Sequence, residues 1–287
     1  MNLFFTESVK YLEKNFEYSK YKLDRFCDGE LYLKLETDVK NREVFVITNT
    51  MAPSDNILEL TFLLDALTRQ NAKINLFFTY FGYSRQDRIN EEGEALSAEV
   101  ISRILRLFDI NKIFILHPHS DKLSYYLNFK PIIPFSIFAE LAKNFDFIVS
   151  PDKGGAALVK KIAELSNTKF FSLTKKRIDH DNVAFIEGSE NVSGKRILII
   201  DDMITTGSTI IKSAELLYKN GASIVDVAAT HGVFCSGAIE KLENSSINKI
   251  YVTDSIKQNQ IPDKFEVISI APIIEKEIYR YNSYRIT

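Results

Sequence analysis

The sequence predicts an α/β protein of two tandem domains, each a mostly parallel sheet flanked by helices. Three observations carry that prediction. Short β-branched and aromatic runs alternate with helix-period segments; the alternation stops and restarts near residues 131–136; and 287 residues suffice for two domains of ordinary size.

In the first half, strands are expected at VFVIT (44–48), INLFFTYF (74–81) and KIFIL (112–116). Each is too short for a helix and rich in side chains that suit a buried pleated surface. Helix-period segments over 56–69 and 96–108 fill the gaps, as crossovers between parallel strands require. The second half begins with a helix over 137–143, the strand FDFIVS (145–150), a helix over 155–165 and the strand KFFSL (169–173). RILIIDD (196–202), a helix over 209–219, SIVDVAAT (223–230) and KIYVTDS (249–255) complete it. The domains are therefore divided as 1–135 and 136–287. With no low-complexity tract at the seam, the halves are expected to pack directly and to carry a site where they meet. TKKRIDHDN (174–182) interrupts two apolar segments with charged and turn-forming residues and is expected to be a mobile loop.

Composition narrows the class. Lys and Arg number 36 against 38 Asp and Glu, a net charge of −2, so no global bias points to nucleic acid or a membrane surface, and an anionic ligand must be held by local design. Cys27 and Cys235 match no metal or redox spacing and are expected to be packing residues of a reduced protein. The N-terminal residues carry acidic groups before any long apolar run, and no segment reaches the roughly 18 apolar residues that span a bilayer. A soluble, cytoplasmic protein is expected.

The strongest chemical signal is RILIIDDMITTGSTI (196–210), an apolar strand, two adjacent carboxylates and a turn that opens a helix. Amides and hydroxyls of Thr205, Thr206, Gly207, Ser208 and Thr209 at a helix N-terminus can cradle a phosphate, where orphan donors and the helix dipole favour an anion. Asp201 and Asp202, at the carboxyl end of the strand, are placed to accept from ribose hydroxyls. A Gly-Ser-Thr turn alone is an ordinary helix start; the preceding double Asp moves the reading to a sugar phosphate.

This segment resembles the phosphoribosyl-diphosphate binding motif shared by phosphoribosyltransferases and ribose-phosphate pyrophosphokinases. It departs from the usual DDMIDTGGT at Thr205, where an acidic residue is usual, and at Ser208, where a glycine is. TYFGYSRQDR (79–88) is similar to the pyrophosphokinase run PYFGYARQDR. Arg85 and Arg88 offer guanidinium forks for triphosphate oxygens and Gln86 an amide beside them, which the resemblance makes an ATP platform. Ile89 stands where the family carries a basic residue.

DRFCDGELYLKL (24–35) and TMAPSDNILELTFLLDALTR (50–69) extend the similarity. The family's pattern implies that Phe26, Asp28 and Glu30 reach an adenine in a neighbouring subunit, hence a homo-oligomer with shared active sites. By its own pattern Phe26 reads as a core aromatic. HPHSDKLSYY (117–126) resembles the family's DLHxxQ stretch, which implies that His119 adjoins nucleotide and metal; His117 takes a position usually held by Asp, and for it a polar strand end and a functional role both stay open.

VSPDKGGAALVKKIA (149–163) resembles VSPDxGGxxRAxxxA, with Asp152 at a strand end as the second metal-site residue and Gly154 and Gly155 allowing close backbone approach. The cofactor implied is Mg²⁺, which takes oxygen ligands and keeps several waters. Lys175 and Arg177, in a run similar to the family's flexible KRR loop, are the implied catalytic pair, neutralising charge on the transferring group.

The resemblance covers roughly residues 24–280 and implies two phosphoribosyltransferase-like domains and pyrophosphoryl transfer from ATP to ribose 5-phosphate. Two alternatives remain. A phosphoribosyltransferase needs neither RQDR nor a second full domain; a catalytically silent regulatory paralogue is suggested by the departures at His117, Thr205 and Ile89.

Overall fold

The computed structural model describes residues 2–178, 181–186, 191–235 and 237–283, with side chains described outside 174–186 and 281–283. They form two compact units. The first comprises residues up to Ile133 with Ser255–Lys257 and the chain from Ala271 onward; the second comprises Pro134–Asp254 and Gln258–Ile270.

In the first unit β1 (Asn2–Phe5) leads to a 3-10 segment over Glu7–Asn15 and a separate antiparallel hairpin, β2 (Tyr21–Arg25) and β3 (Leu31–Leu35). Then come β4 (Glu43–Asn49), α1 (Asp55–Arg69), β5 (Lys73–Tyr80), α2 (Ser97–Leu105), β6 (Ile110–Leu116) and β7 (Lys130–Ile132). The sheet order is β1-β4-β5-β6-β7, with every pair parallel. Strands covered on both faces read as unbroken apolar runs, as 44–48 and 74–81 do. Val44, Val46, Leu76, Phe78, Ile113 and Ile115 pack with residues of α1 and α2 in one core, so both helices cover the same face. At alternate positions the rings of Phe45 and Phe77 stack against Phe114, with centroids 6.2 and 6.3 Å away.

The second unit runs α3 (Phe135–Ala142), β8 (Phe147–Ser150), α4 (Ala156–Ser166), β9 (Lys169–Ile178), β10 (Asp181–Ile186), β11 (Arg196–Ile204) and α5 (Ser208–Lys219). It continues through β12 (Ile224–Gly232), α6 (Ala238–Glu243), β13 (Ile250–Thr253) and β14 (Phe265–Ile268). The sheet order is β10-β9-β8-β11-β12-β13-β14, parallel except for β10. Here helices cover both faces. α3 and α4 pack on Ile148, Leu198 and Ile200, whereas α5 and α6 pack on Val149, Ile197 and Ile199.

The last helix, α7 (Ala271–Ser283), belongs with the first unit, where its Glu277 accepts from Lys130 of β7 at 2.6 Å. The linear division at 135/136 carries no sign of this return, because an amphipathic period marks a buried face without naming the surface that buries it.

Two expectations are corrected. The expected loop is strand at 174–178 and 181–182: β9 continues to Ile178 and pairs antiparallel with β10, Lys175 opposite Ala184 and Arg177 opposite Asn182; Asp179 and His180 lie outside the described residues. The run DNVAFI supplies the strand partner, itself the edge strand of the sheet. Nor are the cysteines packing residues, since Cys27, in the turn of the β2–β3 hairpin, and Cys235, after β12, are both exposed. Among the described residues no helix is long and apolar enough to cross a membrane.

Candidate active site

The second unit's sheet reverses direction between two neighbouring strands. From β8 the chain crosses through α4 to β9 on one side; from β11 it crosses through α5 to β12 on the other. Right-handed crossovers leaving in opposite directions place their helices on opposite faces, which opens a crevice beyond the carboxyl ends of β8 and β11. Asp152 follows β8, and Asp201 and Asp202 lie near the carboxyl end of β11, which leads to α5.

Gly207 makes the turn into α5. Its φ of 75° lies in the left-handed region, and a Cβ there would stand 2.9 Å from Leu242 Cγ of α6, so a larger residue meets both strain and a packed neighbour. No side chain caps α5, so its first amides are not taken by an N-cap side chain. Thr206, Ser208 and Thr209 are exposed and Thr205 half-buried; the Thr206 hydroxyl donates to Ser208 Oγ at 3.4 Å. The Thr205 carbonyl accepts from the Cys235 amide at 3.1 Å, tying the loop to the chain after β12.

Beside it, Asp152 Oδ1 accepts from the Gly154 amide at 2.9 Å and weakly from Gly155 at 3.4 Å, while Ser150 Oγ donates to the Asp152 carbonyl at 2.6 Å. A Cβ on Gly155 would run into Ser150 Oγ. Burial and then the charge of Asp202 push the Asp201 carboxyl up to about 8, with a smaller push from Asp152 and partial relief from the Asp202 amide, which donates to Asp201 Oδ1 at 2.9 Å. These carboxylates oppose one another, a setting that favours a divalent cation or hydroxyl donors. Among the described residues no group of three or more His, Cys, Asp and Glu is placed to hold a metal ion.

In the first unit the polar residues stand on loops beyond the same strand ends. After β5, Gly82 is pressed against the Thr50 carbonyl, where a Cβ would clash, and its amide donates to Thr50 Oγ1 at 2.8 Å. That contact sets the turn that exposes Arg85, Gln86 and Arg88. Gln86 is held by its own backbone, its carbonyl accepting from Ala98 N at 3.2 Å, and its side-chain oxygen accepts from Ser97 Oγ. Ile89 is 59% exposed and offers no charge. His119 is exposed in the bend after β6, whereas His117 is buried in a left-handed backbone conformation with its amide donating to the Ile132 carbonyl at 2.9 Å.

Phe26, Asp28 and Glu30 occupy the exposed tip of the β2–β3 hairpin. Phe26 is not a core aromatic; it is 55% exposed and meets the Tyr32 ring in a T-shaped arrangement, centroids 5.5 Å apart. Sequence reasoning missed this because an aromatic before Cys-Asp-Gly-Glu reads the same at a tip or in a core; the Asp-Gly turn signal between two alternating runs was available to find it. Lys175 and Arg177 lie on the part of β9 that extends beyond its pairing with β8 and pairs instead with β10.

An uncapped phosphate-type turn at the switch point of a doubly wound sheet defines the second unit as a phosphoribosyltransferase-type domain. In accord, residues 133–267 match the model of the phosphoribosyl transferase domain, and residues 5–108 match that of the N-terminal domain of ribose phosphate pyrophosphokinase. The chain belongs to the ribose-phosphate pyrophosphokinase family. It is 34% identical over 267 residues to ribose-phosphate pyrophosphokinase of Thermosipho africanus, covering 89% of this chain and 84% of that one. It is 36% identical over 251 residues to that of Thermoplasma volcanium, covering 86% and 85%. Crystalline phosphoribosylpyrophosphate synthetase from Mycobacterium smegmatis superposes over 99% of both chains with a TM-score of 0.87 at 25% identity.

Proposed function

We propose that this enzyme transfers the β,γ-pyrophosphoryl group of ATP to the 1-hydroxyl of ribose 5-phosphate, releasing AMP and forming phosphoribosyl diphosphate. The observation that carries the reading is the Gly207 turn and uncapped α5 directly after Asp201 and Asp202, in a chain that also carries the exposed Arg85, Gln86 and Arg88. The amides and hydroxyls of 205–209 bind the 5-phosphate, and Asp201 and Asp202 accept from the ring hydroxyls. Arg85, Gln86, Arg88 and His119 bind the triphosphate, and Phe26, Asp28 and Glu30 receive the adenine.

The sugar's 1-hydroxyl attacks the β-phosphorus in line, and the bond from that phosphorus to the α-phosphate oxygen breaks. Lys175 and Arg177 neutralise the charge that develops on the transferring group and on the departing AMP. His119 and Asp152 are the proposed holders of Mg²⁺, which supplies charge neutralisation at the phosphates when bound. Formation of AMP on incubation with Mg-ATP and ribose 5-phosphate tests the proposal; no AMP with folded protein overturns it.

The exposed tip also supports a homo-oligomer in which Phe26, Asp28 and Glu30 complete a neighbour's site. Mixing a Phe26/Asp28 double variant with a Lys175/Arg177 double variant under subunit exchange restores activity if sites are shared, and restores none if each site lies within one chain.

A further inference from the structure

Outside the residues assigned above, the first unit contains two polar links between the β2–β3 hairpin and one side of α1. Deep in the base, the Tyr21 hydroxyl donates to Glu59 and approaches the Phe5 carbonyl at 3.1 Å, while the Glu7 amide donates to Glu59 Oε1 at 2.9 Å. Glu59 is 2% exposed, so this link is shielded from water. Burial and then the Glu59 charge raise the Tyr21 hydroxyl far above its ordinary range, which keeps it a donor. The hairpin base is therefore fixed to β1, the 3-10 segment and α1 together.

The tip has no such shield, since every residue from Arg25 to Glu30 is exposed. Its turn is closed by Phe26 N to the Glu30 carbonyl and Gly29 N to the Phe26 carbonyl, both at 2.9 Å. What joins it to the body is Arg25. One guanidinium nitrogen donates to the Gly29 carbonyl inside the turn at 2.7 Å, and the other pairs with Asp55 in the first turn of α1. Asp55 lies one helical turn before Glu59, so the two links line the same side of α1. Asp55 also follows the loop 50–54, whose Thr50 holds Gly82 ahead of Arg85 and Arg88. The Arg25–Asp55 fork thus ties the hairpin tip to the start of α1, directly after the loop whose Thr50 holds Gly82.

We infer that Arg25 and Asp55 are positioning residues that hold the tip bearing Phe26, Asp28 and Glu30 in the orientation the nucleotide requires. The inference rests on the proposed nucleotide role of that tip. An exposed ion pair adds little to stability, so its loss is expected to act on nucleotide use rather than on folding. A fork that donates at once to a backbone carbonyl and a carboxylate is also a geometry lysine cannot reproduce with both bonds.

The test is steady-state kinetics of the full chain with Arg25→Met, Arg25→Lys, Asp55→Asn, Phe26→Ala and the double variant Phe26→Ala/Asp55→Asn, each with its melting temperature. Arg25→Met and Asp55→Asn are expected to raise KM for ATP about 5- to 10-fold while kcat and KM for ribose 5-phosphate stay within about 2-fold. Melting temperatures are expected to match the parent, and Arg25→Lys to fall between parent and Arg25→Met. The double variant is expected to be no worse than Phe26→Ala alone, because the pair acts through the tip. A raised KM in Phe26→Ala beside a parental KM in Asp55→Asn overturns the positioning role and leaves the nucleotide role of the tip standing. A parental KM in Phe26→Ala sinks both, and equal rises in the two substrates' KM with a lowered melting temperature reduce the pair to a structural contact.

Discussion

The two sheets of this chain share an architecture and differ in winding, and the difference decides how each unit can meet an anion. In the first, β4, β5, β6 and β7 follow one another in a single direction, so α1 and α2 fall on one face and no crevice opens between outward-bound crossovers. In the second, the reversal between β8 and β11 sends α4 and α5 to opposite faces and leaves a crevice at the strand ends. The second unit can therefore offer backbone amides to a phosphate. The first unit instead presents the exposed side chains of Arg85 and Arg88 on a turn held by Gly82 and Thr50. Rigid backbone donors suit a compact sugar phosphate, and long cationic side chains suit a triphosphate that must be gripped at several oxygens.

The largest expected effect is on turnover. Lys175→Ala and Arg177→Ala should each lower kcat on the order of 10²-fold or more with substrate affinities nearly intact, because donors to developing charge act mainly in the transition state. Parental turnover in either variant removes β9 from the chemistry.

Next come the two anion sites. Gly207→Ala, which meets Leu242 at a positive φ, and Asp202→Asn should each weaken ribose 5-phosphate binding roughly 10-fold or more and leave ATP binding unchanged in direct titrations. Arg85→Ala and Arg88→Ala should do the converse, each weakening ATP about 10-fold with the sugar phosphate untouched. A second-unit variant that loses ATP and keeps the sugar phosphate breaks the comparison outright.

The smallest effect concerns stability without ligands. Because the folded chain holds the Asp201 proton up to about pH 8, whereas an unfolded Asp releases it near 3.8, this group favours the folded state fully at the lowest pH and ceases to do so as pH rises through about 8. Asp201→Asn removes that dependence. At pH 8 in chelator the variant should be more stable than the parent, and near pH 4 the two should converge. A variant less stable at pH 8 contradicts the unfavourable burial of Asp201 and leaves the second unit with no electrostatic demand of its own.

Much of this was legible in one dimension. The parallel strands 44–48, 74–81 and 196–202 announce themselves because burial on both faces demands unbroken apolar runs, and the Asp201–Asp202 pair before a Thr-Gly-Ser turn is local, so its placement at a strand end follows from neighbours in sequence. Gly207 is legible as a member of that turn, and the structure adds its left-handed φ of 75°.

Other features are settled only by distant partners. The charged stretch at 174–178 becomes a strand because DNVAFI folds back on it, and local composition cannot report a partner. Phe26 and Cys27 lie outside the core because the Asp28-Gly29 turn ends a hairpin whose inner face is already filled by Tyr21, Leu33 and Leu35. The last helix joins the first unit through Lys130 and Glu277, a choice between surfaces that its own period leaves open. Sequence alone thus determined the long apolar strands with the helices between them, and the chemistry carried within single turns, because those depend on residues a few positions apart; it did not foresee β1–β3, β7, α6, β14 or α7, nor the strand at 174–178. Which faces meet, which side chains reach water and how Arg25 ties a hairpin to α1 were decided by tertiary structure, because burial and pairing belong to the partner surface as much as to the segment.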